Sequence, residues 1–242
     1  MAPQLHTESW GDGGRRALLV HGVTSSAATM WEVGEGLAAA GWTAVAVDLP
    51  GHGGSGPADS YRFADVAATV AAQLGGGWDV VVAHSLGGAI ATLLLAGDPA
   101  FASRALLVDP ALRVTDDVAA GLAPELRRDQ AGQTEALVAA ANPHWHPRTV
   151  AERVRSTRST DVAAVAAYAG QNRPWDVLDA ARRVRVPVHV LVPTAGPVVS
   201  ADQVAELSAT TGPRWTFETV PDTTHSLHRD RPALVVDRAL GD

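Results

Sequence analysis

The segment from Val80 to Ile90 constrains this chain more than any other. Val80-Val81-Val82-Ala83 is an apolar, β-branched run of strand character, and Leu86-Gly87-Gly88-Ala89-Ile90 opens an apolar helix. Between them stand His84 and Ser85. A strand that becomes a helix through one serine and two glycines holds that serine on a sharp, strained corner at the edge of a sheet. The pattern is G-x-S-x-G with Ala83 at the first glycine. Small size is what this position requires, so a methyl group is tolerated, and Gly87 keeps the tighter one. On such a corner the hydroxyl stands clear of the sheet, and the N–H of Leu86 points to where a carbonyl oxyanion would form. Ser85 is therefore a candidate nucleophile.

Other apolar strand segments alternate with helix-length stretches, which predicts an α/β fold: a mostly parallel, doubly wound sheet of about seven or eight strands. The predicted strands are Arg16 to Val20, Thr43 to Val47, Trp78 to Ala83, Arg104 to Val108, Pro187 to Val192 and Arg214 to Val220, with a weaker one from Leu5 to Trp10. Helices are predicted at Ala28 to Ala40, Tyr61 to Leu74, Leu86 to Gly97, Ala201 to Thr211 and Pro232 to Leu240. The stretch after Asp109 is too long for a simple crossover and is broken at Pro124, Pro143, Pro147 and Pro174, so it reads as several short helices. The expected organisation is a core of residues 1–110 and 184–242, with residues 111–183 inserted as a helical lid.

Composition narrows the function classes. There is no cysteine, which excludes disulfides, thiolate metal sites and a cysteine nucleophile. The net charge of -7 argues against a nucleic-acid partner, which requires clustered cations. The arginines between Arg148 and Arg158, with Glu152 among them, read as the solvated face of a helix. No apolar run reaches the length of a bilayer span, and the N-terminus lacks the pattern of a signal peptide. A cytoplasmic location without a membrane partner is expected, and the sequence assigns no oligomeric state.

A serine hydroxyl needs a base within reach. His225, in Pro221-Asp222-Thr223-Thr224-His225-Ser226-Leu227-His228, follows the last strand and so falls at the carboxyl edge of a parallel sheet, the same edge as Ser85. With these residues in place the chain resembles the α/β-hydrolase superfamily. It does so at His21-Gly22-Val23, at Asp48-Leu49-Pro50-Gly51-His52-Gly53-Gly54-Ser55, at the serine corner and at the late histidine. The resemblance implies a second oxyanion donor from the backbone N–H of Val23, beside that of Leu86. It also implies an acid that orients His225, ordinarily just after the strand ending at Val192. There the sequence departs, because Gly196 occupies the aligned position and Asp202 belongs to the next helix. Asp109, at the end of Ala105-Leu106-Leu107-Val108-Asp109, is the alternative, resembling superfamily members that carry the acid after this earlier strand. Asp202 and Asp161 are next in line.

Gly51-His52-Gly53-Gly54-Ser55-Gly56 also fits G-x-G-x-x-G, but Pro57-Ala58-Asp59-Ser60 separates it from the next helix and no acid follows at the required distance, so no dinucleotide site is expected. His144-Trp145-His146 offers two metal ligands without a third, and no metal or cofactor is expected. His84, Trp31, Trp145 and Trp175 are candidates for the substrate pocket. The resemblance implies hydrolysis of a small, largely apolar carboxylic ester or lactone through an acyl-enzyme, with no cofactor. Carbon–carbon bond hydrolysis by the same residues and a non-catalytic ligand receptor are the alternatives.

Overall fold

The structure, a computed structural model, describes residues 3–241. In chain order the elements are β1 (Thr7–Trp10), β2 (Arg15–Val20), α1 (Trp31–Ala39), β3 (Trp42–Val47), α2 (Phe63–Leu74), β4 (Val80–His84), α3 (Leu86–Gly97), β5 (Ala105–Val108), β6 (Arg113–Val114), α4 (Asp116–Gly132), α5 (Glu135–Ala141), α6 (Pro147–Ser159), α7 (Val162–Gln171), β7 (Trp175–Asp176), α8 (Leu178–Arg183), β8 (Val188–Ala195), α9 (Ala201–Thr211), β9 (Trp215–Thr224), α10 (Leu227–Asp230) and α11 (Pro232–Leu240). Among the described residues, seven strands form one sheet in the order β1-β3-β2-β4-β5-β8-β9. Only β1 is antiparallel to its neighbour; every other pairing in that sheet is parallel.

Both faces of the sheet are covered, and the period-two alternation of a strand assigns the residues to them. On β4, Val81 and Ala83 join the core beneath α2, α3, α8 and α9, while Val80 and Val82 join the core beneath α1 and α11. This double burial explains why the strand reads as an unbroken apolar run.

The chain passes from β2 outward to β3 on one side and then returns to β4 on the other, so the order of strands reverses between β2 and β4. A crevice opens beyond the carboxyl ends of strands at such a reversal. His21-Gly22-Val23 leaves β2 at one wall of that crevice, and Ser85 leaves β4 at the other.

Residues between β5 and β8 supply α4 to α8 and the antiparallel pair β6–β7. Pro124 does not break this segment as predicted but lies inside α4. Pro124 and Ala120, whose carbonyl loses its acceptor role there, are both exposed, so water can take up the freed carbonyl. α8 packs on α3 and α9 and so belongs to the sheet's covering layer, while α6 lies against the 3₁₀ turn Ala27–Met30 that precedes α1. β4 starts at Val80, later than predicted, because Trp78 makes only an isolated bridge to Ala102. β9 extends past Val220 through an irregularity in its pairing with β8 that brings Thr224 opposite Ala195. No helix among the described residues is long and apolar enough to cross a membrane.

Candidate active site

Ser85 has φ 52° and ψ -118°, a positive-φ conformation that costs a β-substituted residue about 1–3 kcal/mol and persists only where the surroundings over-determine it. The surroundings here do. The N–H of Ser85 donates to the Val108 carbonyl at 3.2 Å, and its own carbonyl accepts from Gly88 at 2.9 Å and from Ala111 at 3.0 Å. Three glycines allow the close packing. A Cβ on Gly22 would stand 2.6 Å from His84 Nδ1 and 2.9 Å from Ser85 Cβ; one on Gly87 would stand 2.4 Å from the Val20 carbonyl oxygen; and one on Gly88 would stand 2.5 Å from the Cβ of Pro110. The loop after β2 and the turn after β5 are thereby pressed against the serine corner. Ala83, at the motif's first glycine position, is an ordinary buried strand residue paired with Val20 and Leu107.

His225 lies at the end of β9, and its Nδ1 donates to Asp109 Oδ2 at 2.5 Å. Asp109 is completely buried, in a left-handed conformation with φ 41°. Its carboxylate also accepts from the N–H of Val198, at 3.0 Å to each oxygen, and from that of Val199 at 3.0 Å. The loop after β8 therefore supplies backbone donors to an acid carried by β5. Gly196 of that loop has φ 61° and open space around its Cβ position. Asp202 sits in the first turn of α9 behind its cap Ser200, and Asp161 caps α7 by accepting from Ala163.

Ser85, His225, Val23 and His84 line one cavity of about 240 Å³. Val118, Leu122 and Leu126 of α4 and Trp175 of β7 form its apolar wall. Leu86, as the first residue of α3, has no acceptor for its N–H within the helix. Of the aromatic candidates for the pocket, Trp175 lines the cavity while Trp31 and Trp145 do not. Trp31 is buried under α6, with Nε1 donating to Thr149 Oγ1 at 3.1 Å and the Arg148 guanidinium 4.3 Å from its ring centroid. Trp145 donates to Asp230 at 2.8 Å, beside His144 at 3.1 Å to the same oxygen. Trp31 is held by Thr149 of the helical segment and Trp145, itself on that segment, by Asp230 of α10, and apolar character alone did not reveal that.

Four histidines near the site are buried and held neutral. His21 donates from Nδ1 to the Gly22 carbonyl at 2.7 Å and accepts at Nε2 from Leu49 at 3.0 Å, which leaves no site for a second proton. Burial lowers its pKa, and burial with His21 nearby lowers that of His52 to about 3. His84 donates from Nε2 to the His225 carbonyl at 2.8 Å, so it fixes the backbone of that loop. Burial and the neighbouring His228 and His225 hold His84 well below the ordinary histidine value, and burial does the same for His228. Asp48 organises the glycine loop: its carboxylate accepts from Gly54 at 2.7 Å and Ala27 at 2.6 Å, and Gly53, with φ 50°, has no room for a Cβ against it. That loop is a structural clamp.

The sequence reading missed two residues. Arg153, expected on a solvated helix face, is largely buried and reaches the Thr24 carbonyl at 2.8 Å and Thr24 Oγ1 at 2.9 Å. Arg229 is buried outright. Both line the cavity. The signal for Arg153 was its place on the stripe Val150, Val154, Thr157, all buried on one side of α6.

The sequence profile of the alpha/beta hydrolase family matches residues 17–238. The chain belongs to that family. No functionally curated sequence matches significantly. Among solved structures, this hydrolase-family chain is similar to the N-formylmaleamic acid deformylase of Pseudomonas putida S16, at 24% identity and TM-score 0.80, covering 99% of this chain and 96% of that one. It is also similar to a malate-bound esterase from Thermogutta terrifontis, at 21% identity and TM-score 0.76, covering 98% and 91% of the two chains. The enol-lactonase of Burkholderia xenovorans LB400 aligns at 18% identity and TM-score 0.78, covering 98% and 95%. These likenesses show the fold.

Proposed function

We propose that this member of the family is a serine hydrolase that cleaves a small carboxylic ester or lactone through an acyl-enzyme. The observation that carries the reading is the 2.5 Å contact between His225 Nδ1 and the buried Asp109 carboxylate, with Ser85 on its strained corner in the same cavity. With Nδ1 donating to Asp109, the Nε2 lone pair of His225 is free to act as base. It takes the proton of Ser85 as Oγ adds to the substrate carbonyl. The tetrahedral oxyanion accepts hydrogen bonds from the N–H groups of Leu86 and Val23, each such donor contributing about 2.7–4 kcal/mol to the transition state. His225 then gives its proton to the departing alkoxide, and the acyl group stays on Ser85. Water, deprotonated by the same nitrogen, attacks the acyl-enzyme, and release of the acid restores the serine. The Asp109 carboxylate stabilises the imidazolium formed in each half-reaction, and the helices α4 to α7 serve as the lid, α8 belonging to the layer that covers the sheet.

An esterase and an enol-lactonase among the similar folds support the reaction class. Labelling with an alkyl fluorophosphonate tests it directly. The wild-type chain is expected to label and the Ser85→Ala variant not to. A wild-type serine inert to the reagent would favour a ligand receptor built on the same scaffold.

A further inference from the structure

The cavity that holds Ser85 contains a buried cation that no acid contacts directly among the described residues; Asp230 and Glu32 act on it only through space. Arg229 donates to Ser25 Oγ at 2.9 Å and to Ser226 Oγ at 3.3 Å, and its Nε is buried without an acceptor. Among the described residues it forms no salt bridge; the nearby carboxylate of Asp230 is taken up by Trp145, His144 and Thr224. Its guanidinium lies 5.5 Å from the centroid of the Trp145 ring, which closes one side of it to solvent. Burial first, then the positive charge of Arg153, lowers its pKa to about 9, so it remains cationic at neutral pH.

Arg153 is the second guanidinium on the cavity, with Asp129 3.6 Å away. Glu125 and Asp129, the two acids that line the cavity, belong to α4; Glu125 is exposed and Asp129 partly so. Neither is bound to Arg229. A buried guanidinium satisfied only by two serine hydroxyls is an expensive feature to keep, since charged groups are buried where a counter-charge completes them. The planar fork of an arginine matches a carboxylate, and the hydroxyl of Ser226 can donate to the same oxygens, whereas that of Ser25 is spent on Thr29 Oγ1 at 2.6 Å, which in turn donates to the Ser26 carbonyl.

We infer that the substrate carries a free carboxylate in addition to the bond that is cleaved, and that Arg229, assisted by Arg153, holds that carboxylate inside the cavity beside Ser85. This replaces the largely apolar substrate expected from the sequence and rests on the Ser85 hydrolase reading. The apolar wall from α4 and Trp175 then packs the short carbon chain between the two polar ends.

Two anionic esters test the inference, one with the carboxylate on the acyl side (monoethyl glutarate) and one with it on the alcohol side (acetoxyacetate). Each is compared in a pH-stat assay with a neutral counterpart, ethyl valerate and methyl acetoxyacetate. The wild-type chain is expected to prefer at least one anionic member by about 10- to 100-fold in kcat/KM, the range of a charge-assisted hydrogen bond. Arg229→Met should reduce that preference by about the same factor, and Arg153→Gln should reduce it less. The ratio of the two substrates is insensitive to how much of a variant folds. Glutarate should inhibit the wild-type enzyme competitively whether or not either variant is obtained. No preference for either anionic ester, together with no inhibition by glutarate, would overturn the inference while fluorophosphonate labelling of Ser85 leaves the hydrolase reading standing. If labelling fails as well, a thermal shift measured with glutarate decides the anion site alone: stabilisation of wild type supports it, and no shift removes it.

Discussion

His225 Nδ1 and Asp109 Oδ2 meet at 2.5 Å although 116 residues separate them in sequence. The acid comes from the end of β5, and the loop after β8, where the superfamily's acid is expected, contributes only the N–H groups of Val198 and Val199 to its carboxylate. In this chain the two strand ends divide the work: one supplies the carboxylate, the other the backbone donors that hold it in place. The pairing of β5 with β8, residue for residue from Ala105 opposite Val188 to Val108 opposite Leu191, holds the two ends together.

Asp109→Asn is expected to lower kcat for ester hydrolysis by about 10⁴-fold, because an amide cannot stabilise the imidazolium and favours the wrong histidine tautomer. Steady-state kinetics on a simple ester, with circular dichroism to verify the fold, checks this. Near-normal turnover would show that another acid serves His225.

Gly22→Ala places a methyl group 2.6 Å from His84 Nδ1 and 2.9 Å from Ser85 Cβ. Both neighbours are buried and cannot swing aside, so the serine corner must shift. A displacement near 1 Å at a reacting centre is worth about 10²-fold in rate. The variant should lose at least that much activity, and fluorophosphonate labelling should slow in parallel. A fully active variant would mean that the corner has more freedom than its packing implies.

Stability should fall as the solution is acidified from neutral. His21, His52, His84 and His228 have folded-state pKa values below the ordinary histidine value, with His52 at about 3. Below about pH 6.5 the unfolded chain binds protons at these positions that the folded chain does not, so stability is greatest above that value and is lost as the pH drops toward the folded values. Each fully neutral histidine contributes a slope of at most about 1.4 kcal/mol per pH unit there. Urea unfolding at several pH values between 7 and 5 reads the combined slope; a flat profile would contradict the burial of these rings.

Asp230 joins the helical segment to the loop that carries His225. One carboxylate oxygen accepts from Trp145 and His144, and the other accepts from the N–H and hydroxyl of Thr224 at 2.7 Å each. Asp230→Ala leaves these donors unpaired, which should destabilise the fold by about 1–3 kcal/mol. Because Thr224 immediately precedes His225, kcat should fall as well. Urea denaturation and ester kinetics on the same preparation separate the two effects, and an unchanged kcat would show that the histidine loop stands without this tie.

Much of this was legible along the chain. Val80-Val81-Val82 had to be a strand buried on both faces, and Ser85 between that strand and an apolar helix had to sit on a tight corner, because spacing and side-chain volume settle both locally. Alternation of strand and helix gave the parallel sheet, and with it the shared carboxyl edge of Ser85 and His225. Tertiary structure alone decided which acid meets His225: β8, ahead of Asp202, lies directly beside β9, but Asp202 is taken into the first turn of α9, while Asp109 turns off the end of β5 with φ 41° and reaches the ring. It also decided the character of the cavity. The burial of Arg153 and Arg229 depends on how α6 and the end of β9 close over the crevice, and a guanidinium looks the same in sequence whether it faces water or a substrate.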